Sequence, residues 1–155
     1  MTPPYHFELI VACPAGPSNY DILHITEMNY LRFCRKLDYY TSHGVASQKM
    51  ILGMPLYGRS FTATDGLGKS FSGVGPGTWD RGVYDYKVLP LLGAYEFYDS
   101  IRGSSYSYDL LAKELVSYDN IQVGKQKARW IKENNLGGAM WWESSIDTSN
   151  NSSLI

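Results

Sequence analysis

The sequence has few of the residues that mark metal, redox or thiol chemistry. Only two cysteines, Cys13 and Cys34, and three histidines, His6, His24 and His43, occur among its 155 residues. Neither set has the spacing of a metal site or of a catalytic triad. The two cysteines could form a disulfide, although free buried thiols are the simpler prediction. We therefore expect no metal and no cofactor.

Charge and hydropathy exclude further classes of partner. The 14 basic and 15 acidic residues are scattered, and the formal net charge is −1 at pH 7, so neither a nucleic acid nor an anionic membrane is an expected partner. No apolar run approaches the roughly 20 residues that span a bilayer. The first four residues carry no basic side chain and the apolar run after them is short, so we expect no signal peptide.

The sequence does have enough apolar and aromatic residues for one globular core. Its most strongly patterned stretch is Leu136–Glu143. Gly137 and Gly138 are predicted to end a helix, and Ala139–Trp142 then reads as a buried strand. Alternation along a strand points Trp141 and Trp142 to opposite faces. One ring could form the floor of a sugar-binding cleft, or both could belong to the core.

In the rest of the chain, the residue pattern predicts alternating strands and helices. A parallel strand buried on both faces is predicted at Met50–Leu56 because nearly every residue there is apolar. The connector Leu110–Glu114 is locally helix-prone. The other predicted elements are a strand at His6–Cys13, a helix at Asp21–Tyr40, a hairpin of Ser105–Tyr108 with Leu115–Tyr118, and a helix from Ile121 to about Asn134 capped by Asp119 or Asn120.

Two stretches, Met50–Phe61 and Leu136–Asp147, resemble glycoside hydrolase family 18, the chitinases, and most closely the secreted fungal ones. The resemblance covers nearly the whole chain and implies a (β/α)8 TIM barrel with a small inserted α+β domain. Such a barrel takes typically ~250 residues, so this α/β chain is expected to hold an incomplete barrel with strands five, seven and eight. The implied domains are a partial barrel segment at 1–60, the chitinase insertion domain at 61–118, and the last barrel helix and strand with a polar tail at 119–155.

The resemblance breaks near Cys34. The stretch Glu27–Phe33 is similar to the family's residues just before the sixth barrel strand, which carries a Met-x-Tyr-Asp motif. That strand is absent, and Arg35–Val45 instead resembles the helix before the seventh strand. We interpret the junction as an internal deletion.

The family cleaves β-1,4-linked N-acetylglucosamine polymers, with one Glu as general acid and the acetamido group of the substrate as nucleophile. The acid ends an Asp-x-x-Asp-x-Asp-x-Glu run on the fourth strand. No two of the 15 carboxylates in this sequence are spaced i, i+2, so the run is absent. We therefore predict no catalytic residue and no hydrolysis by this chain alone.

Part of a sugar cleft is implied by the same resemblance. Trp142 corresponds to the floor of the reactive subsite, unless it is a core residue. Arg59 corresponds to a residue that hydrogen-bonds sugar, or it is a solvated loop residue. Asp80 replaces a substrate-contacting Glu and is one methylene shorter. The implied binding residues are Trp142, Tyr57, Arg59, Met54, Trp79 and Asp80, with Met54 and Tyr57 on the seventh strand and Met54 also explicable by packing.

Chitin or chito-oligosaccharides are the implied partners, and the implied location is extracellular. Two alternatives stay open. The chain could be a non-catalytic, effector-like module that binds chitin oligosaccharides, or a gene-model fragment of a full chitinase. Glu143 is interpreted as structural rather than catalytic, and Asp65, Asp99 and Asp109 as turn residues.

Overall fold

The computed structural model of this protein describes residue 38 and residues 40–155. The predicted strand His6–Cys13, most of the predicted helix Asp21–Tyr40 and the junction near Cys34 lie outside the described residues. In chain order, the described elements are β1 (Ile51–Pro55), β2 (Tyr57–Phe61), β3 (Val83–Asp85), β4 (Tyr95–Asp99), β5 (Ser104–Asp109), β6 (Glu114–Ser117), α1 (Ile121–Glu133) and β7 (Gly138–Trp142). Short 3-10 turns lie at Ser47–Lys49, Tyr86–Val88 and Ser144–Ile146.

Strands β1 and β7 form a two-stranded parallel sheet, in register from Ile51↔Gly138 to Pro55↔Trp142. Both strands were predicted, but no residue of β7 is buried, so the expected burial of Ala139–Trp142 was wrong. Leu52 and Met54 are buried, but Ile51 is 50% exposed, so the expected burial on both faces of β1 was wrong. Side chains alternate between the two faces of a strand. The face opposite Leu52 and Met54 carries Ile51, Pro55 and Gly53, and glycine has no side chain to bury.

The other five strands form an antiparallel sheet in the order β3-β2-β6-β5-β4. The predicted hairpin is confirmed by the pairing of Tyr106 with Ser117 and of Tyr108 with Leu115. The sheet begins at Tyr57, before the predicted domain limit at residue 61, so Tyr57 lies on β2 and not on the strand that carries Met54. Leu56 is the corner between the two sheets.

Aspartates organise the turns of the sheet. The helix-prone connector after β5 is a turn and not a helix, because Asp109 Oδ1 accepts hydrogen bonds from Leu111 N (2.8 Å) and Ala112 N (2.9 Å). Asp99 Oδ1 accepts in the same way from Ile101 N at 3.0 Å and Arg102 N at 2.9 Å. Both residues were predicted to lie in turns.

Helix α1 begins where the sequence predicts. Asn120, one of the two predicted caps, accepts a hydrogen bond from Val123 N at 3.0 Å. Gly137 does not end the helix, because α1 ends at Glu133 and Asn135 takes the left-handed conformation at φ 52°. A Cβ at residue 137 would lie 2.4 Å from Gln48 O, so glycine is needed there for close packing.

A buried cluster connects the two sheets. It consists of Leu56, Tyr84, Tyr86, Val116, Tyr118 and Ile146, with Trp141 and Leu154 packed against it. Gly58 lets β2 approach β6, since a Cβ there would lie 2.6 Å from Val116 Cγ1. No helix in the described part of the chain is long and apolar enough to cross a membrane.

Candidate functional site

The carboxyl ends of β1 and β7 place Trp142 at one edge of the parallel sheet. Trp142 pairs with Pro55, and Leu56 N donates a hydrogen bond to Trp142 O at 2.9 Å. The side chain of Trp142 is 64% exposed, whereas Trp141 packs against the core. The predicted division of the two rings between opposite faces is confirmed. An exposed indole face can stack on the apolar C–H face of a sugar ring.

Met54 and Tyr57 differ in what they can reach. Met54 is 2% exposed, so its side chain is packed in the interior and has no surface available to a ligand. Tyr57 is half-buried on β2, directly after the corner that Leu56 makes below Trp142. Of the two, Tyr57 is the one with surface available to a ligand.

Arg59 lies on the same strand as Tyr57, and its Cζ is 5.6 Å from the centroid of the Tyr57 ring. This cation–π contact orients the guanidinium group. Arg59 is exposed and has no salt bridge to any residue that the structure describes. Its N–H groups therefore remain available to oxygen atoms of a ligand.

Trp79 and Asp80 lie in a tight loop before β3. Thr78 N donates to Val83 O at 2.9 Å, and Val83 N donates to Asp80 O at 3.0 Å. Gly77 adopts φ +74°, and a Cβ there would lie 1.9 Å from Asp80 O, so only glycine fits. Trp79 is 64% exposed. Asp80 Oδ1 accepts a hydrogen bond from Arg81 N at 2.8 Å, so its carboxylate is partly engaged by its own loop.

Asp85 lies next to this loop, and it was not predicted from the sequence as a site residue. It pairs with Tyr57 across β2 and β3, it is 7% exposed, and its Oδ1 accepts a hydrogen bond from Thr78 Oγ1 at 2.5 Å. Lys87 Nζ lies 3.1 Å from Asp85 Oδ2. The sequence does show an Asp and a Lys two residues apart beside an aromatic run, but this pattern does not indicate which residues they contact.

Glu143 is exposed and its Oε1 accepts a hydrogen bond from Ser145 Oγ, and the peptide bond between Trp142 and Glu143 is cis. Residue 38 and residues 40–155 contain no cluster of three His, Cys, Asp or Glu side chains that could hold a metal ion. The site thus offers aromatic faces and hydrogen-bond donors.

Comparison with known proteins places this chain in a family. Residues 11–147 match the family model described as glycosyl hydrolases family 18. The chain is 38% identical to Endochitinase 1 of Metarhizium robertsii over an alignment of 188 positions, which covers 97% of this chain and 44% of that protein. The chain thus spans less than half the length of this relative. Because the alignment is longer than the 155 residues present, the relative has residues with no counterpart here.

Solved structures give the same result. The chain resembles the catalytic domain of psychrophilic chitinase B from Arthrobacter TAD20, with a TM-score of 0.65 and 36% identity, over 75% of this chain and 26% of that one. It also resembles the GH18 chitinase from Cycas revoluta in complex with (GlcNAc)3, with a TM-score of 0.63 and 30% identity, over 71% of this chain and 33% of that one. The described residues therefore share their mixed fold of sheets and helices with part of these chitinases.

Proposed function

The chain belongs to glycosyl hydrolase family 18, and from this premise we propose that its described residues form one wall of a chitin-binding cleft. In this proposal β1 and β7 are strands seven and eight of a (β/α)8 barrel, and the five-stranded sheet is the inserted α+β domain. The observation that carries the proposal is the exposed ring of Trp142 at the carboxyl end of β7. A Trp that served only the core would be buried, as Trp141 is in part.

The ligand proposed is a chain of β-1,4-linked N-acetylglucosamine. Its ring faces are apolar, and its edges carry hydroxyl and acetamido groups. Trp142 supplies the stacking floor, Arg59 and Tyr57 offer hydrogen bonds to the edges, and Trp79 with Asp80 provides a second contact. The structure of the GH18 chitinase from Cycas revoluta is a complex with (GlcNAc)3, which supports this class of ligand.

We further propose that this 155-residue chain does not hydrolyse chitin by itself. None of its 15 acidic residues has another at i+2, so the carboxylate run that provides the family's general acid is missing. General acid catalysis supplies typically about 10²- to 10⁴-fold, and the positioning of reactants supplies more. The alignment that exceeds the chain in length supports an internal deletion, which we place near Cys34. The protein of which this chain is part acts outside the cell in this proposal.

Calorimetric titration with chitohexaose tests the binding wall. We expect heat of binding with the parent chain and an affinity about thirtyfold lower for Trp142→Ala, because a buried aromatic anchor at an interface contributes roughly 2 kcal/mol. Tyr95→Ala is the matched control, since Tyr95 is 73% exposed on the edge strand β4. No heat with the parent, or equal affinity for the Trp142 variant, would contradict the proposal.

Hydrolysis is tested separately with fluorogenic chitobiose and chitotriose substrates. We expect no release of fluorophore above the buffer blank at any enzyme concentration. Release by the parent chain that disappears in the Trp142→Ala preparation would come from this protein and not from a contaminant. That result would overturn the proposed lack of activity.

A further inference from the structure

Two tryptophans, Trp79 and Trp142, are each 64% exposed although they lie on separate segments of the chain. Trp79 belongs to the loop before β3, and Trp142 ends β7. We propose that a chain of four polar residues, the brace, holds these two segments in a fixed relation, and that Lys87 is its positioning residue. The brace consists of Thr78, Asp85, Lys87 and Ser145.

The first half of the brace holds the Trp79 loop. Thr78 Oγ1 donates to Asp85 Oδ1 at 2.5 Å and accepts from Asp85 N at 2.9 Å. Thr78 directly precedes Trp79, so this pair of bonds fixes the backbone from which the ring projects. Asp85 is itself fixed by its pairing with Tyr57 in the sheet.

The second half reaches the segment after Trp142. Lys87 Nζ lies 3.1 Å from Asp85 Oδ2 and donates a hydrogen bond to Ser145 O at 3.1 Å. Ser145 Oγ in turn donates to Glu143 Oε1, and Glu143 follows Trp142 directly in sequence. One ammonium group thus joins the carboxylate that bonds Thr78, the residue before the first tryptophan, to the carbonyl of the third residue after the second.

The Asp85–Lys87 pair is more protected from solvent than the pair of Asp65 with Lys113, whose ammonium group is also exposed. The side chain of Asp85 is only 10% exposed, whereas Asp65, which pairs with Lys113, is 76% exposed. Charge-assisted hydrogen bonds are stronger than neutral ones, and burial protects them from screening by salt. Lys113 and Asp65 join two exposed turns and contact neither tryptophan segment.

The consequence for binding rests on the proposed function. When a ligand stacks on both rings, ordering the rings reduces the binding free energy, unless the free protein already holds them in place. Preorganisation of this kind raises affinity because less conformational freedom is lost on binding. Lys87 would then contribute to affinity through the two tryptophans, without touching the sugar itself.

Amide hydrogen exchange on the full chain tests the brace without any ligand. The variant Lys87→Met keeps the length of the side chain but removes its hydrogen bonds. Because hydrogen bonds to charged groups contribute more than neutral ones, we expect exchange about tenfold faster at Val83, whose amide closes the Trp79 loop. The same increase is expected at Ile146, whose amide closes the turn after Glu143. Lys87→Arg should restore slow exchange, since a guanidinium can donate to both acceptors.

Lys113→Met is the matched control and should leave both amides unchanged. The ladder between β5 and β6 reports whether each variant is folded, so a general loss of structure would be recognised there. Faster exchange at only one of the two segments, or at neither, would overturn the brace. Titration of Lys87→Met with chitohexaose gives the second readout, with an affinity about threefold or more below that of the parent. The exchange result decides the brace even if no variant binds sugar, so the two proposals fail separately.

Discussion

At the scale of single residues, Glu96 of β4 accepts hydrogen bonds from two buried side chains. Tyr118 OH donates to Glu96 Oε2, and Asn120 Nδ2 donates to Glu96 Oε1 at 2.9 Å. Ser105 Oγ donates to Tyr118 O at 2.5 Å and accepts from Asn120 N at 2.9 Å. Ser105, Tyr118 and Asn120 are buried and each has a partner, as buried polar groups require, whereas Glu96 is exposed. The cluster ties β4, β5 and the end of β6 to the start of α1.

Removing one hydroxyl from this cluster should be costly. Tyr118→Phe removes the hydrogen bond that the buried Tyr118 hydroxyl donates to the exposed carboxylate of Glu96, so we expect the free energy of unfolding to fall by about 0.5–1.5 kcal/mol. Urea unfolding followed by fluorescence measures the change. Tyr95→Phe removes an exposed hydroxyl and should have no effect. Equal midpoints for Tyr118→Phe and the parent would show that the cluster does not stabilise the fold.

At the scale of elements, the sequence predicted the features that are determined by residues close together in the chain. The caps, periodicity and turn residues around Ile121–Glu133 and the β5–β6 hairpin are of this kind. What depends on distant contacts was missed. Gly137 packs on Gln48 O, and Lys87 bonds Ser145 across 58 positions. Of the proposed binding residues, Trp142 could be placed because strand alternation exposes it, but the sequence could not show that Tyr57 leaves the strand of Met54.

Asn120 is the element-scale test, because it both caps α1 and bonds Glu96. Asn120→Ala removes both interactions, whereas Asn120→Ser keeps a side-chain acceptor for the cap and loses only the bond to Glu96. We expect the alanine variant to be less stable than the serine variant by about 0.5–2 kcal/mol, the usual contribution of an N-cap. Thermal unfolding followed by circular dichroism at 222 nm measures the difference. If the two variants melt together, the cap contributes nothing here.

At the scale of the whole molecule, the segment after β7 is more than a polar tail. Leu154 packs against the cluster between the sheets, and Tyr86 OH donates to Ser152 O at 3.0 Å. Asp147 accepts from Thr148 N at 2.8 Å and from Ser153 Oγ at 2.7 Å. The sequence predicted a tail from its polar composition, but two apolar residues, Ile146 and Leu154, and a set of local hydrogen bonds hold it against the core.

Tyr86 lies where this tail meets the core, and it makes stability sensitive to alkali. Burial, together with the nearby charges of Asp147 and Glu96, raises the pKa of Tyr86 to about 12, whereas a tyrosine in an unfolded chain ionises at about 10. The unfolded state therefore loses this proton first. The stabilisation is fully present below pH 10 and is lost as the pH rises through 12. A difference of this size corresponds to roughly 2–3 kcal/mol.

The variant Tyr86→Phe should separate this ionisation from other effects of alkali. At neutral pH it loses the hydrogen bond to Ser152 O, so we expect it to be less stable than the parent by about 0.5–1.5 kcal/mol. Between pH 10 and 12 its stability should fall less steeply than that of the parent, because it has no proton to lose at this position. Guanidinium unfolding at pH 7, 9, 10 and 11 measures both slopes, with Tyr95→Phe as the exposed control that keeps the parent slope. A Tyr86→Phe variant as alkali-sensitive as the parent would show that ionisation of this buried hydroxyl does not control the loss, and that the junction between tail and core opens for another reason.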